Sequence, residues 1–335
     1  MQIKPPYLLF LGDAPDQLAA KTAQGIAYWR PEWCLGQLRL PGCKADLKLT
    51  EMSVEEAAKR GAKTLIVGVA NRGGVFSDAW LDILIKALEL GMDLAAGLHN
   101  RLVDVPRIRD AAAKYGRQLF DVRHPTENFP IGNGQKRSGL RMLAVGTDVS
   151  SGKMYTALAM EKEMRKRGMK ATFRATGQTG IFIAGTGVSI DAVVSDFVSG
   201  AVEKLAPAND PDHWDLVEGQ GSLFHPSYAG VTIALIHGAQ PDALVMCHEP
   251  TRKHVRGLPH YALPTLKECF EANLWAARRT NPKAKFVGIA FNTWQMSDDE
   301  AKRVLDAASR EFNLPAVDPV RTGVGPLVDA LKSVT

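Results

Sequence analysis

The segment Gly146-Thr147-Asp148-Val149-Ser150-Ser151-Gly152-Lys153 follows the apolar run Leu140 to Val145 and precedes a helix-like segment, Met154 to Arg167. Its spacing is that of a phosphate-binding loop, G-x-x-x-x-G-K. A strand delivers the chain to a Gly-rich turn, main-chain N–H groups converge on a phosphate, the next helix adds the positive end of its dipole, and the lysine adds a point charge. The residue after the lysine in that pattern is Ser or Thr, whose hydroxyl holds Mg²⁺; here it is Met154. Phosphate binding is therefore expected from Gly146, Thr147, Asp148, Ser150, Ser151, Gly152, Lys153 and Met154, with metal-assisted nucleotide hydrolysis in question. The hydroxyls of Thr147, Ser151 and Thr156 keep a metal-dependent, ATP-using reaction open.

Three further polar loops follow apolar runs. Val217 is followed by Glu218-Gly219-Gln220-Gly221-Ser222 and then His225, Cys247 by His248-Glu249-Pro250-Thr251-Arg252, and Ala175 by Thr176-Gly177-Gln178-Thr179-Gly180. In open parallel sheets ligands lie beyond the carboxyl ends of the strands, so adjacent strands would bring these loops into one crevice.

The elements that must position them alternate. Tyr7 to Leu11, Thr64 to Val69, Asp93 to Gly97 and Gln118 to Val122 read as strands. Val54 to Arg60, Asp78 to Leu90 and Val105 to Tyr115 read as helices, closed by Gly61, Gly91 and Gly116 as left-handed C-caps. This is the βαβ pattern of a parallel α/β sheet. The polar passage from Pro130 to Gly139 reads as a linker. Beyond it come strand-like runs at Leu140 to Val145, Ala171 to Ala175, Trp214 to Val217, Ala243 to Cys247, Phe286 to Phe291 and Pro315 to Val317. Two domains are expected, residues 1–135 and 136–335, in keeping with a chain of 335 residues and 45% apolar content.

A net charge of +5, with 41 Lys and Arg spread along the chain, gives no reason to expect nucleic acid. No apolar run approaches the roughly 20 residues of a membrane span. The four cysteines lack C-x-x-C spacing, and Met1 to Pro6 lack a secretory apolar region, so a cytoplasmic protein with reduced thiols is expected. His248, Glu249, His254 and His260 match no metal-ligand spacing, and no metal is expected. Leu11-Gly12-Asp13 lacks G-x-G-x-x-G, which argues against a nicotinamide site. Trp29 and Trp33, on either side of Pro31, suit a domain or subunit boundary, and a homo-oligomer is expected.

The loop at 146 to 153 with Val217-Glu218-Gly219 resembles the phosphate-binding core of dethiobiotin synthetase and its relatives. A fuller resemblance runs through Asn71-Arg72-Gly73-Gly74, the same loop, Thr176 to Gly180, Val217 to Leu223, His248-Glu249-Pro250, Asp318-Pro319-Val320-Arg321 and Gly323 to Leu327. Together these resemble a bacterial family long described as a domain of unknown function, which includes D-glutamate N-acetyltransferases. The resemblance implies a Rossmann-like N-terminal domain, a P-loop NTPase-like C-terminal domain, and acetyl transfer from acetyl-CoA to the amine of D-glutamate.

The residues suit that chemistry. Coenzyme A carries a pyrophosphate and a ribose 3′-phosphate, so a nucleotide loop can hold it without hydrolysis, and Met154 is then no defect. A base must free the amine, for which Glu218, His248 and Glu249 are candidates, and the main-chain N–H groups of Gly219 to Ser222 are candidate oxyanion donors. A dicarboxylate calls for guanidinium forks, available as Arg72, Arg252, Arg256 and Arg321, with Gln178 as a further substrate ligand. The alternatives are an ATP-dependent enzyme of the dethiobiotin synthetase type and a non-catalytic nucleotide- or CoA-binding protein.

Overall fold

A computed structural model describes residues 2–69 and 76–334. In the first part of the chain come β1 (Tyr7–Gly12), α1 (Lys21–Trp29), β2 (Cys34–Arg39), α2 (Val54–Lys59), β3 (Thr64–Val67), α3 (Asp78–Glu89), β4 (Asp93–Ala96), α4 (Pro106–Tyr115) and β5 (Leu119–Asp121). They are followed by β6 (Leu140–Gly146), α5 (Lys153–Lys166), β7 (Ala171–Arg174), α6 (Gln178–Ala184), α7 (Val198–Leu205), β8 (Trp214–Val217), α8 (Ala229–Ala239) and β9 (Ala243–His248). Then come β10 (His254–Val255), β11 (Leu258–Ala262), α9 (Leu266–Ala277), β12 (Lys285–Phe291), α10 (Asp298–Phe312), β13 (Ala316–Val317) and α11 (Gly325–Ala330).

The chain forms two compact units, Met1–Thr126 with Gly177–Ala192, and Glu127–Thr176 with Val193–Thr335. In the first, five parallel strands run in the order β2-β1-β3-β4-β5. Every residue of β1 and β3 is buried, as strands covered on both faces require. Gly61, Gly91 and Gly116 all take positive φ after their helices, as the C-cap reading expects. The short helix α6 belongs to this unit although it lies far along the chain. Its Thr179 approaches Gly25 of α1, where a Cβ would lie 3.0 Å from the threonine methyl, and Thr179 Oγ1 is 3.4 Å from Thr22 Oγ1.

In the second unit six parallel strands run in the order β13-β12-β9-β6-β8-β7. From β6 the chain moves outward to β7, returns as β8, and then crosses β6 to lay down β9 on its other side. The order therefore reverses between β6 and β9, and a doubly wound sheet opens a crevice beyond the carboxyl ends of its strands at such a point. The α9 and α10 helices begin with reciprocal capping boxes, Thr265 with Glu268 and Ser297 with Glu300. A separate antiparallel ribbon, β10–β11, turns through Gly257 at φ 82°. Among the described residues no helix is long and apolar enough to cross a membrane.

Candidate active site

The six buried residues that close β6 carry the chain to Gly146. A Cβ on Gly146 would overlap Ser151 Oγ, so the loop folds back on a position that tolerates no side chain. Two left-handed residues, Ser150 at φ 53° and Gly152 at φ 101°, then bend it into α5. This 14-residue helix starts with no side-chain cap and no acidic residue in its first turn. Its first N–H groups lack a side-chain acceptor, and its positive end faces the loop, which is the arrangement that holds a phosphate.

Lys153 is 6% exposed, and its Nζ donates to the carbonyl of Asp148 at 2.7 Å and to Ser151 Oγ at 3.3 Å. Burial pushes its pKa down to about 8, opposed by Cys247 and Asp148. An anion brought to the loop would raise it again. Its stem crosses Gly219, where a Cβ would overlap the carbonyl of Ala144 and lie 2.9 Å from Lys153 Cδ.

Asp148 is 1% exposed. Its Oδ1 accepts the N–H of Val149 at 2.7 Å, and its Oδ2 accepts Arg252 Nη1 and the main-chain N–H of Arg256, both at 2.7 Å. Arg252 donates in addition to the carbonyl of Val149 at 2.6 Å and to the Glu249 carboxylate. Its guanidinium thus clamps the segment after β9 onto the phosphate loop, and Glu249 holds the clamp.

Thr147 joins three strand ends. Its N–H donates to the carbonyl of Cys247 at 3.1 Å, its carbonyl accepts Ser222 Oγ at 3.0 Å, and its Oγ1 lies 2.9 Å from His248 Nδ1. The half-buried imidazole meets Phe291 edge to face at 5.7 Å. Burial lowers the His248 pKa to about 4, the Arg252 charge acts in the same direction, and Glu249 opposes both. The ring is therefore neutral at pH 7, with Nδ1 engaged by Thr147. Glu218, 5% exposed, accepts the N–H of Thr176 at 3.0 Å on Oε2, while its own carbonyl accepts Thr176 Oγ1 at 2.8 Å.

The hydroxyls of Ser151 and Thr156 are already engaged. Ser151 Oγ donates to the Asp148 carbonyl at 3.0 Å, and Thr156 Oγ1 donates to the Gly152 carbonyl at 3.0 Å.

Of the residues singled out from sequence, the loop, Glu218, His248, Glu249 and Arg252 meet at the carboxyl ends of β6, β8 and β9. Gln178 lies in the first unit over Gly97, where a Cβ would overlap its Oε1. Arg321 follows β13 at the sheet edge, bound to Asp298 and to the carbonyls of Met296 at 2.6 Å and Thr293 at 3.3 Å. There it lines a cavity of about 530 Å³ together with Lys302 and Asp306. Arg72 lies outside the described residues. The Thr147–His248 and Asp148–Arg252 pairs were not anticipated, since each joins positions more than 100 residues apart.

Two family models match the chain, a domain of unknown function described as the DUF1611_C P-loop domain over residues 130–328 and the DUF1611_N Rossmann-like domain over 38–125. The chain belongs to the DUF1611 family. A DUF1611 family protein of known crystal structure, from Anabaena variabilis, is 30% identical, with a TM-score of 0.85 over 98% of this chain and 100% of its own. A D-glutamate N-acetyltransferase of Tritonibacter scottomollicae is 59% identical over 99% of this chain and 100% of its own. A second protein of that name, from a Pseudoalteromonas species, is 49% identical over 98% and 99%. The DUF1611 pair of Rossmann-like and P-loop domains accords with the two parallel sheets described above.

Proposed function

We propose that this protein is an N-acetyltransferase that moves acetyl from acetyl-CoA to the amine of an acidic amino acid, D-glutamate being the acceptor in the names of both relatives. The observation that carries the reading is a phosphate loop with Met154 at the Mg²⁺-hydroxyl position, set beside a neutral histidine. The uncapped start of α5 and Lys153 suit the pyrophosphate of the donor. A thioester is already activated and asks for orientation, a base and an oxyanion site, not for phosphoryl transfer.

Among the three candidate bases, Glu249 is bound to Arg252 and Glu218 grips Thr176. The His248 ring has Nδ1 on Thr147 and makes no other hydrogen bond among the described residues. We assign the base to His248 Nε2, with Thr147 setting its orientation and Glu218 and Glu249 as positioning residues. Phosphates on the loop would counter the Arg252 charge and raise the imidazole pKa toward the range useful to a base. The ammonium gives one proton to Nε2. The free nitrogen then attacks the thioester carbonyl, the C–S bond breaks, and a second proton from nitrogen goes to the departing thiolate. One proton is released overall.

The test is incubation of the purified protein with acetyl-CoA and, in turn, D-glutamate, L-glutamate and D-aspartate, following free thiol and acetylated product by mass spectrometry. Thiol release matched by N-acetyl product supports the reading. Product that appears only with ATP, together with phosphate release, overturns it in favour of the ligase-like alternative.

A further inference from the structure

The segment from Thr251 to Lys267 contains no Asp or Glu. It forms the β10–β11 ribbon, with His254 paired to Ala262 and Val255 to Leu258. The ribbon is fixed to the phosphate loop by its own main chain, because the N–H of Arg256 donates to Asp148 Oδ2 at 2.7 Å while Arg252 grips the same carboxylate. Val255 is its buried foot, at 3% exposure. Lys253, His254, Arg256, His260 and Tyr261 are all exposed.

Some exposed arginines elsewhere in the protein carry a carboxylate partner, as Arg101 does with Asp104 and Arg107 with Asp78 and Asp82. Neither Lys253 nor Arg256 has an ion pair or a side-chain hydrogen bond among the described residues. Two unneutralised cations and an exposed aromatic ring thus stand beside the loop, held there by the residue that shapes it. The pyrophosphate alone does not call for this ribbon. A phosphate further along the same ligand, carried on a nucleoside whose base has a face to stack, does.

We propose that the β10–β11 ribbon reads the ribose 3′-phosphate and adenine of the donor, through Arg256 and Lys253 for the phosphate and Tyr261 for the base. The ribbon then selects coenzyme A over nucleotides that lack a 3′-phosphate. This rests on the acetyl-CoA reading and adds to it the residues that set donor specificity.

Calorimetric titration of the full-length protein with CoA and with 3′-dephospho-CoA tests it, beside an acetyl-transfer assay of the same preparations. The wild-type protein should bind CoA at least about tenfold more tightly. In Arg256→Ala and in the double variant Lys253→Ala/Arg256→Ala that gap should shrink through weaker CoA binding alone, with dephospho-CoA affinity unchanged. The main-chain bond from residue 256 to Asp148 survives both substitutions. Equal affinities in the wild-type protein, or a variant that weakens both ligands alike, with acetyl transfer intact, overturns the ribbon's role only. If neither ligand binds and no acetyl is transferred, the proposal falls together with the acetyl-CoA reading.

Discussion

Thr147 Oγ1 and His248 Nδ1 lie 2.9 Å apart, joining the phosphate loop after β6 to the end of β9 across the point where the strand order reverses. On the function proposed above, phosphate binding and proton transfer fall on neighbouring side chains. Thr147→Val keeps the shape and removes the hydroxyl, so kcat should fall about 10- to 100-fold with a small change in donor affinity. Steady-state kinetics compared with donor titration separates the two. A loss confined to donor affinity would make Thr147 part of the phosphate cradle alone.

The half-buried imidazole also sets a pH response. The His248 pKa falls from 6.5 in the unfolded chain to about 4 in the fold. Below pH 6.5 the unfolded chain takes up the proton first, so stability drops as the pH falls from about 6.5 to about 4; above 6.5 the residue contributes no slope. The expected loss from this residue is about 2 kcal/mol, allowing for solvent at a half-buried ring. Urea unfolding of wild type and His248→Asn across that window checks it, since the difference between the two should shrink with falling pH.

Lys153 sits in the fold against its own preference for water. Its pKa drops from 10.5 to about 8, so the cost of the buried charge is fully present below pH 8 and is relieved as the pH rises toward 10.5. Lys153→Met should stabilise the free protein at pH 7 by about 1 kcal/mol while weakening CoA about 10- to 100-fold. Thermal unfolding and calorimetry on one preparation would show both effects. A destabilised variant would mean that its bonds to Asp148 and Ser151 outweigh desolvation.

Arg252→Ala removes the cation from Asp148, which is 1% exposed. A buried carboxylate left without its partner should cost about 3–5 kcal/mol and loosen the loop with it. Asp148→Asn/Arg252→Ala, which removes both charges, should recover much of that loss, as a denaturant titration would reveal.

Acetyl transfer should survive exhaustive chelation with EDTA and should neither need nor consume ATP. Met154 offers no hydroxyl, and those of Ser151 and Thr156 already donate within the loop. Loss of turnover on chelation, restored by Mg²⁺, would count against that assignment.

The phosphate loop was legible in the sequence because its information is local: an apolar strand, two glycines and a lysine at fixed spacing, then a helix. The same holds for β6, β8 and β9, which are buried on both faces and read as apolar runs broken only by Arg141 in β6 and Asp215 in β8, and for Gly61, Gly91 and Gly116, whose backbone handedness is visible in their type. Helix α6 escaped because seven residues, with Ile181-Phe182-Ile183 in a row, carry too little period to tell helix from strand. The ribbon at 254–262 has a polar, Pro-containing strand that no alternation announces. The Asp148–Arg252 clamp depends on which strands the topology makes neighbours, and neither residue type discloses that.

The passage of the chain through Gly177–Ala192 bears on how such a protein can be inherited. The second unit is interrupted once, since residues 177–192 lie between its two segments, Glu127–Thr176 and Val193–Thr335, yet belong to the first unit. Ile181, Phe182 and Ile183 are wholly buried there, and Gly25 on α1 leaves the room that α6 fills. A single recombination event near residue 135 would therefore not exchange intact modules between two homologues. It would pair α1 from one parent with α6 from the other, and the chimera would need Gly25 and Thr179 to match. Selection should hold those two positions together across a distance at which genes are otherwise free to shuffle.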